Sequence, residues 1–236
     1  MRTGLVWVGC VLAATSLVTL LLGPLGTRAG WWTFVTGFTL LRWSVYLGLA
    51  AAAASLVGGA LARRWRAAAV AIVVGLVVAA VPLNLLRAAR AVPPIHDITT
   101  DLQDPPRFVA VLPLRAGAPN PPEYLGGTVT DEQRRAYPDI QPLVLPIPAA
   151  QAFERALAAA RDLDWEIVAS DRAAGRIEAV DTTYWFGFKD DVVIRIQEPA
   201  GGARIDVRSK SRVGRGDAGA NARRIRTYLR AVQQGT

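Results

Sequence analysis

Lys189, Asp190 and Asp191 stand in a row at the head of the apolar stretch VVIRIQ, which itself carries Arg195. The next alternating stretch, RIDVRSKSRV, adds Arg208 and Arg212. Carboxylates and guanidinium groups on neighbouring strands can pair across a solvated sheet face, each pair contributing a fraction of a kcal/mol. They can also build a polar pocket in which arginines hold an anion and carboxylates orient them. A carboxylate pair drawn from Asp181, Asp190 and Asp191 could further serve general acid–base chemistry.

Two more constellations stand nearby. Tyr184, Trp185, Phe186 and Phe188 cluster around Gly187. They read either as core beneath the helices or as an apolar surface for a lipid interface or an acyl chain. Gly214, Gly216 and Gly219 follow the spacing G-x-G-x-x-G, with a strand-like segment before and a helix-like one after. A dinucleotide site needs a buried parallel strand ahead of that loop and an acid about twenty residues on. Here the preceding strand alternates charged and apolar residues, and none of the seventeen residues after Gly219 is acidic. The glycines therefore read as a sharp turn from strand to helix, with Asp217 placed to cap the helix. In a second reading, the amides of this turn, with Gly214, Arg215, Gly216 and Arg224, receive an anionic headgroup at the helix start.

Other chemistry is poorly supplied. The one histidine, His96, lies near Asp97, Asp101 and Asp104, and the one cysteine, Cys10, lies in an apolar run. A Ser–His or Cys–His pair is hard to assemble from these. A transition-metal site wants more imidazole or thiolate, and the aspartate spacing matches no calcium loop. His96 and its neighbours read as cap and turn residues. No cofactor and no metal are expected.

The elements that would position these residues fall into two unlike halves. Residues 1–100 carry eight arginines against one acid, whereas residues 101–236 carry nineteen bases against eighteen acids. The overall charge of +8 thus sits almost wholly beside apolar runs, where arginines anchor helix ends to headgroups. Nucleic-acid binding loses its support. Leu5–Leu22, Trp43–Ala62 and Ala67–Leu86 are uncharged and close to the ~20 residues that cross a bilayer. Gly and Pro in GPLGTRAGWWT are expected to end the first span, with Trp31 and Trp32 at the interface and Arg42 at the start of the second. The RRWR loop at 63–66 makes the second and third spans a tight hairpin. This loop and Arg2 favour a cytoplasmic N-terminus with the remainder outside. Ala51, Ser55 and Gly59 form a small-residue seam, for packing inside the bundle or for a protein partner through the second span.

Residues 91–148 are proline-rich and expected to be extended and irregular, wrapped over the following domain through residues such as Phe108 and Val111. From 149 onward the periodicity gives a helix, four strands and a helix, with a further strand possible at 141–147. The fold class expected is three transmembrane helices (1–90), a Pro-rich segment (91–148) and an α+β domain (149–236). That domain should hold an antiparallel sheet of four to five strands with two helices.

EAVDTTYWFGFKDDVVIRI and IDVRSKSRVGRGDAGANARRIRTYL resemble the bacterial family called domain of unknown function 1499, over about residues 95–231. HDITTD and DPPRF resemble its membrane-anchored branch. The resemblance implies the fold and the tether and carries no catalytic residue. The expectation is a non-enzymatic, multi-pass protein of the bacterial inner membrane. Its periplasmic domain would bind a partner protein or a lipid-like or anionic ligand, with the lipid bilayer as its constant neighbour. A small hydrolase-like enzyme built on the Asp/Arg cluster and an accessory subunit of a larger membrane complex are the alternatives.

Overall fold

The computed structural model describes residues 3–199 and 201–235. Arg2, on which the expected orientation partly rests, lies outside the described residues. Two compact units are present. One comprises Met1–Ala88 with Tyr184–Gly187, the other Ala89–Thr183 with Phe188–Thr236.

The first unit holds α1 (Gly4–Arg28), α2 (Phe34–Ala62) and all but the last two residues of α3 (Trp65–Arg90), each helix long and apolar enough to cross a membrane. Two expected boundaries are corrected. Pro24 does not end α1; the helix runs through it to Arg28. In an apolar run the helix is the one local way to satisfy the backbone. Termination comes at Gly30, whose φ of +74° is the left-handed geometry of a helix stop. There the Gly30 amide donates to Thr27 O and the Trp31 amide to Gly26 O. Likewise α2 starts at Phe34, which places Arg42 inside the helix on an exposed face rather than at its start.

Small residues set the helix spacing. Gly9 abuts Ser55, Gly58 abuts the backbone of Leu5 and Val6, and Gly48 and Gly75 face each other backbone to backbone. Gly59 abuts Ala68 and Trp65. The seam of Ala51, Ser55 and Gly59 is therefore buried between α2 and its two neighbours.

The second unit is a six-stranded antiparallel sheet in the order β1-β6-β5-β4-β3, with β2 also on β6. Its strands are β1 (Asp97–Thr99), β2 (Leu143–Leu145), β3 (Glu166–Asp171), β4 (Arg176–Thr182), β5 (Lys189–Gln197) and β6 (Ala203–Ser211). The helices are α4 (Thr128–Ala136), α5 (Ala149–Asp162) and α6 (Ala220–Gln234). The Pro-rich segment is thus more regular than expected. The three-residue strand β1 pairs with β6 and the proline-free stretch TVTDEQRRA forms α4, while β2, also on β6, is the strand expected within 141–147. Gln133 of α4 pins the free edge of β1, its amide group bonding both the N–H and the C=O of Thr99.

One face of the sheet packs on helices. Ile177, Ala179, Val192, Ile194, Ile205 and Val207 meet Phe153, Leu157 and Ala160 of α5 and Ala222, Ile225 and Val232 of α6. Tyr228 closes this core, stacked on Trp165 at 5.0 Å with its hydroxyl donating to Ala156 O. Period-two alternation sends Glu178, Asp191, Arg195, Asp206, Arg208 and Lys210 to the other face.

Candidate functional site: the charged face of the sheet

The charged face is not solvated. Residues 100–125 fold across it, and Glu178, Asp191, Asp206, Arg208 and Lys210 are buried. Burial of charge requires pairing, and the pairing takes a repeated form: one carboxylate between two cations. Asp97 receives both forks of Arg208 at 2.8 Å and Lys210 Nζ at 2.9 Å. Asp191 is held by Arg212 at 2.7–3.2 Å and by Arg115. Asp206 is held by Arg204 and by Arg195 at 3.0 Å. Asp101 bridges that last pair, accepting from Arg195 and Arg204.

The covering segment supplies the remaining partners. Arg208 also donates to the carbonyls of Pro106 and Pro122, and its guanidinium lies 4.8 Å from the Phe108 ring and 5.4 Å from the Tyr124 ring. Lys210 donates to Glu123 O, Arg212 to Leu114 O and Arg115 to Asn120 O. Phe108 and Val111 form a small core with Val180 and Val193. Glu178, wholly buried, accepts the backbone N–H groups of Val109, Ala110 and Val111 at 2.9–3.1 Å. Burial pulls the Lys210 ammonium below its ordinary range, against the pull of Asp97. For Asp101, burial pushes upward, yet the amides of Asp104 and Gln103 with Arg204 and Arg195 hold it below the ordinary carboxylate range.

Asp190 and Asp191 are adjacent on β5 and so point to opposite faces. Asp191 joins the charged face; Asp190 lies among the helices with Arg224, at 2.6 Å. Arg224 also binds Asp181 at 2.6 Å and shares Asn221 with Ser209. Burial raises the Asp190 carboxyl above its ordinary range despite Arg224. The charged residues expected to share one cluster are therefore divided: Asp191, Arg195, Arg208 and Arg212 lie on one face, and Asp190 lies on the other, where it meets Arg224.

At the glycine turn, Gly214 O accepts from Asn120, Gly216 backs onto Pro94, and Arg215 O accepts from His96 Nδ1. Gly214 and Gly219 have φ of +93° and +74°. The Asp217 carboxylate accepts from the amides of Gly219 and Asn221, both at 2.7 Å, so the start of α6 already holds an anion. Arg224 does not face this turn; Arg215 does, and is exposed. His96 lines a cavity of about 60 Å³ with Pro94, Ile95, Leu125 and Val129, room for little beyond water. Of the aromatic cluster, Phe186 is buried with its ring 4.9 Å from Phe38, and Arg28 donates to Tyr184 O. Phe188 is half-buried, Trp185 is 46% exposed and Tyr184 84%.

Sequence reasoning missed Asp97, Arg115 and Glu178 as parts of the charged face. A signal for Glu178 exists: it occupies the same strand register as Val180, where a solvated face would not ask for valine. Asp97 and Arg115 carry no local signal, because their partners are distant in sequence.

A protein-family model described as "Protein of unknown function (DUF1499)" matches residues 97–232, more than half of the chain. No curated protein and no solved structure matches.

Proposed function

The chain belongs to the DUF1499 family, whose function is unknown, and from that premise we propose a non-enzymatic protein of the bacterial inner membrane whose α+β domain binds a lipid-like ligand at its surface. One observation carries the reading. On the charged face Asp97, Asp191, Asp206 and Asp101 are each held by two cations of the same domain, and Glu178 by Arg176 and three backbone N–H groups. Groups committed in this way stabilise a fold and are poorly placed to meet a substrate. Recognition is then left to exposed apolar and aromatic side chains, which suit lipid. The three apolar helices support a membrane setting. The basic turn at Arg63 and Arg64, followed by Arg66, favours the cytoplasm for that turn and the outside for the domain.

The test is native mass spectrometry of the full chain extracted in mild detergent. Bound phospholipid should survive mild activation, and Trp185→Ala should lower its occupancy. A lipid-free protein with a stoichiometric polypeptide partner would overturn the reading in favour of a complex subunit. A reporter fused after residue 236 should be active outside the cytoplasm; cytoplasmic activity would reverse the orientation.

A further inference from the structure

The segment that covers the charged face has an outer side, and that side is apolar. Val109, Leu112 and Leu114 are 49%, 41% and 49% exposed, and Pro113 and Ala116 are exposed between and beside them. Across residues 105–118 the formal charges are Arg107, which is exposed, and Arg115, which is buried against Asp191. The strip thus shows solvent aliphatic side chains and one cation.

The backbone of the strip is unusual in a more telling way. Every N–H from Val109 to Ala116 has an acceptor inside the domain. Glu178 takes those of Val109, Ala110 and Val111. Val109 O takes that of Leu112, and Val111 O those of Leu114 and Arg115. Pro113 O takes that of Ala116, while Pro113 itself has none to give. Leu114 O is in turn bonded by Arg212. An exposed loop in water has no need of this, since water satisfies its amides. A loop entering hydrocarbon does, because an unsatisfied backbone group there costs several kcal/mol.

We propose that Val109, Leu112 and Leu114 form a rigid lipid-docking strip that dips into the headgroup–acyl boundary of an anionic bilayer, with Arg107 on a lipid phosphate. Such interfacial elements sit about 5–10 Å into that boundary and combine apolar area with attraction to anionic lipid. Arg212 ties the strip to the sheet: its backbone N–H donates to Lys189 O at the start of β5 while its side chain holds Leu114 O. The inference rests on the membrane reading above and names the lipid contact that reading requires.

The experiment uses the full chain in vesicles of phosphatidylethanolamine and phosphatidylglycerol. In a Cys10→Ser background, nitroxide labels are placed at Leu112→Cys, Leu114→Cys and, as a control, Gln151→Cys on the exposed face of α5. Labels at 112 and 114 should collide severalfold less with a water-soluble nickel complex than the control, and severalfold more with oxygen. Arg107→Gln should reduce that shielding. Labels at 112 and 114 as open to nickel as residue 151, in a protein whose melting temperature is unchanged, would overturn the strip. Retained phospholipid in such a protein would leave the lipid-binding reading standing.

Discussion

The two faces of the sheet solve the same burial problem with different chemistry. Against α5 and α6 the sheet offers Ile177, Val192, Ile194 and Ile205, and cohesion is apolar contact between regular elements. Against residues 100–125 it offers Asp191, Asp206, Arg208 and Lys210, and cohesion is a ladder of carboxylates shared between cations. Apolar burial tolerates imperfect fit, because it scales with area. The ladder does not, since each buried charge needs its partner. A helix can cover a sheet with side chains alone, while an irregular segment also brings backbone carbonyls. Pro106, Pro122, Glu123 and Leu114 spend theirs on the sheet's cations.

Removing one charge should separate the two faces most. Asp97→Ala strands Arg208 and Lys210 and should cost about 3–5 kcal/mol, as for other broken buried pairs. On the helix face Ile194→Ala should cost about 2–5 kcal/mol through its cavity. Thermal and urea unfolding of the two variants measures both. The discriminating variant is Asp97→Leu with Arg208→Met and Lys210→Met, which should recover most of the loss because no charge is left unpaired. No recovery would mean that the ladder's geometry, rather than charge balance, holds the cover in place.

A smaller effect isolates the cover from the sheet. Glu178→Gln keeps the shape but turns one acceptor into a donor facing the amides of Val109, Ala110 and Val111, at about 1–3 kcal/mol. Hydrogen exchange should quicken at 109–111 and stay slow in α5 and α6. Equal quickening everywhere would make the two faces one cooperative unit.

The smallest effects are in pH. Asp190, on the helix face, has its carboxyl raised by burial, so its contribution is present below the ordinary carboxylate range and is lost as pH rises through the raised value. Asp101, beside the ladder, is held low, so its contribution is present above that range and is lost as pH falls through the lowered value. Acidification should therefore gain from Asp190 down to about pH 4 and lose from Asp101 below it. Asp190→Asn should remove the gain, and Asp101→Asn should make the later fall shallower, as read from urea midpoints across pH.

Much of this was legible in the chain. Alternation in RIDVRSKSRV put Ile205, Val207, Ser209 and Ser211 on one side and Arg204, Asp206, Arg208 and Lys210 on the other, and the sheet keeps that division. The helical periodicity likewise holds: Phe153 with Leu157 in α5 and Ala222 with Ile225 in α6 are buried on one face of each helix. The first helix runs past Pro24 because rules for helices in water do not hold in an apolar run, and it ends at the left-handed turn of Gly30. Neighbours on a strand point to opposite faces, which is why Asp190 and Asp191 lie on different sides of the sheet.

By itself, then, the sequence determined the three apolar helices, the antiparallel sheet, the face to which each strand residue points and the capped turn at Asp217. These follow from periodicities of 2 and 3.6 residues and from local turn chemistry, which act within a few positions. Only the tertiary structure decided what lies over the charged face. Asp97 meets Lys210, Glu178 meets Val109, and Arg115 meets Asp191. Each pair is separated by tens of residues or more, beyond the reach of any local pattern. A charged stripe in a strand reads the same whether water or a folded segment covers it, and here a folded segment does.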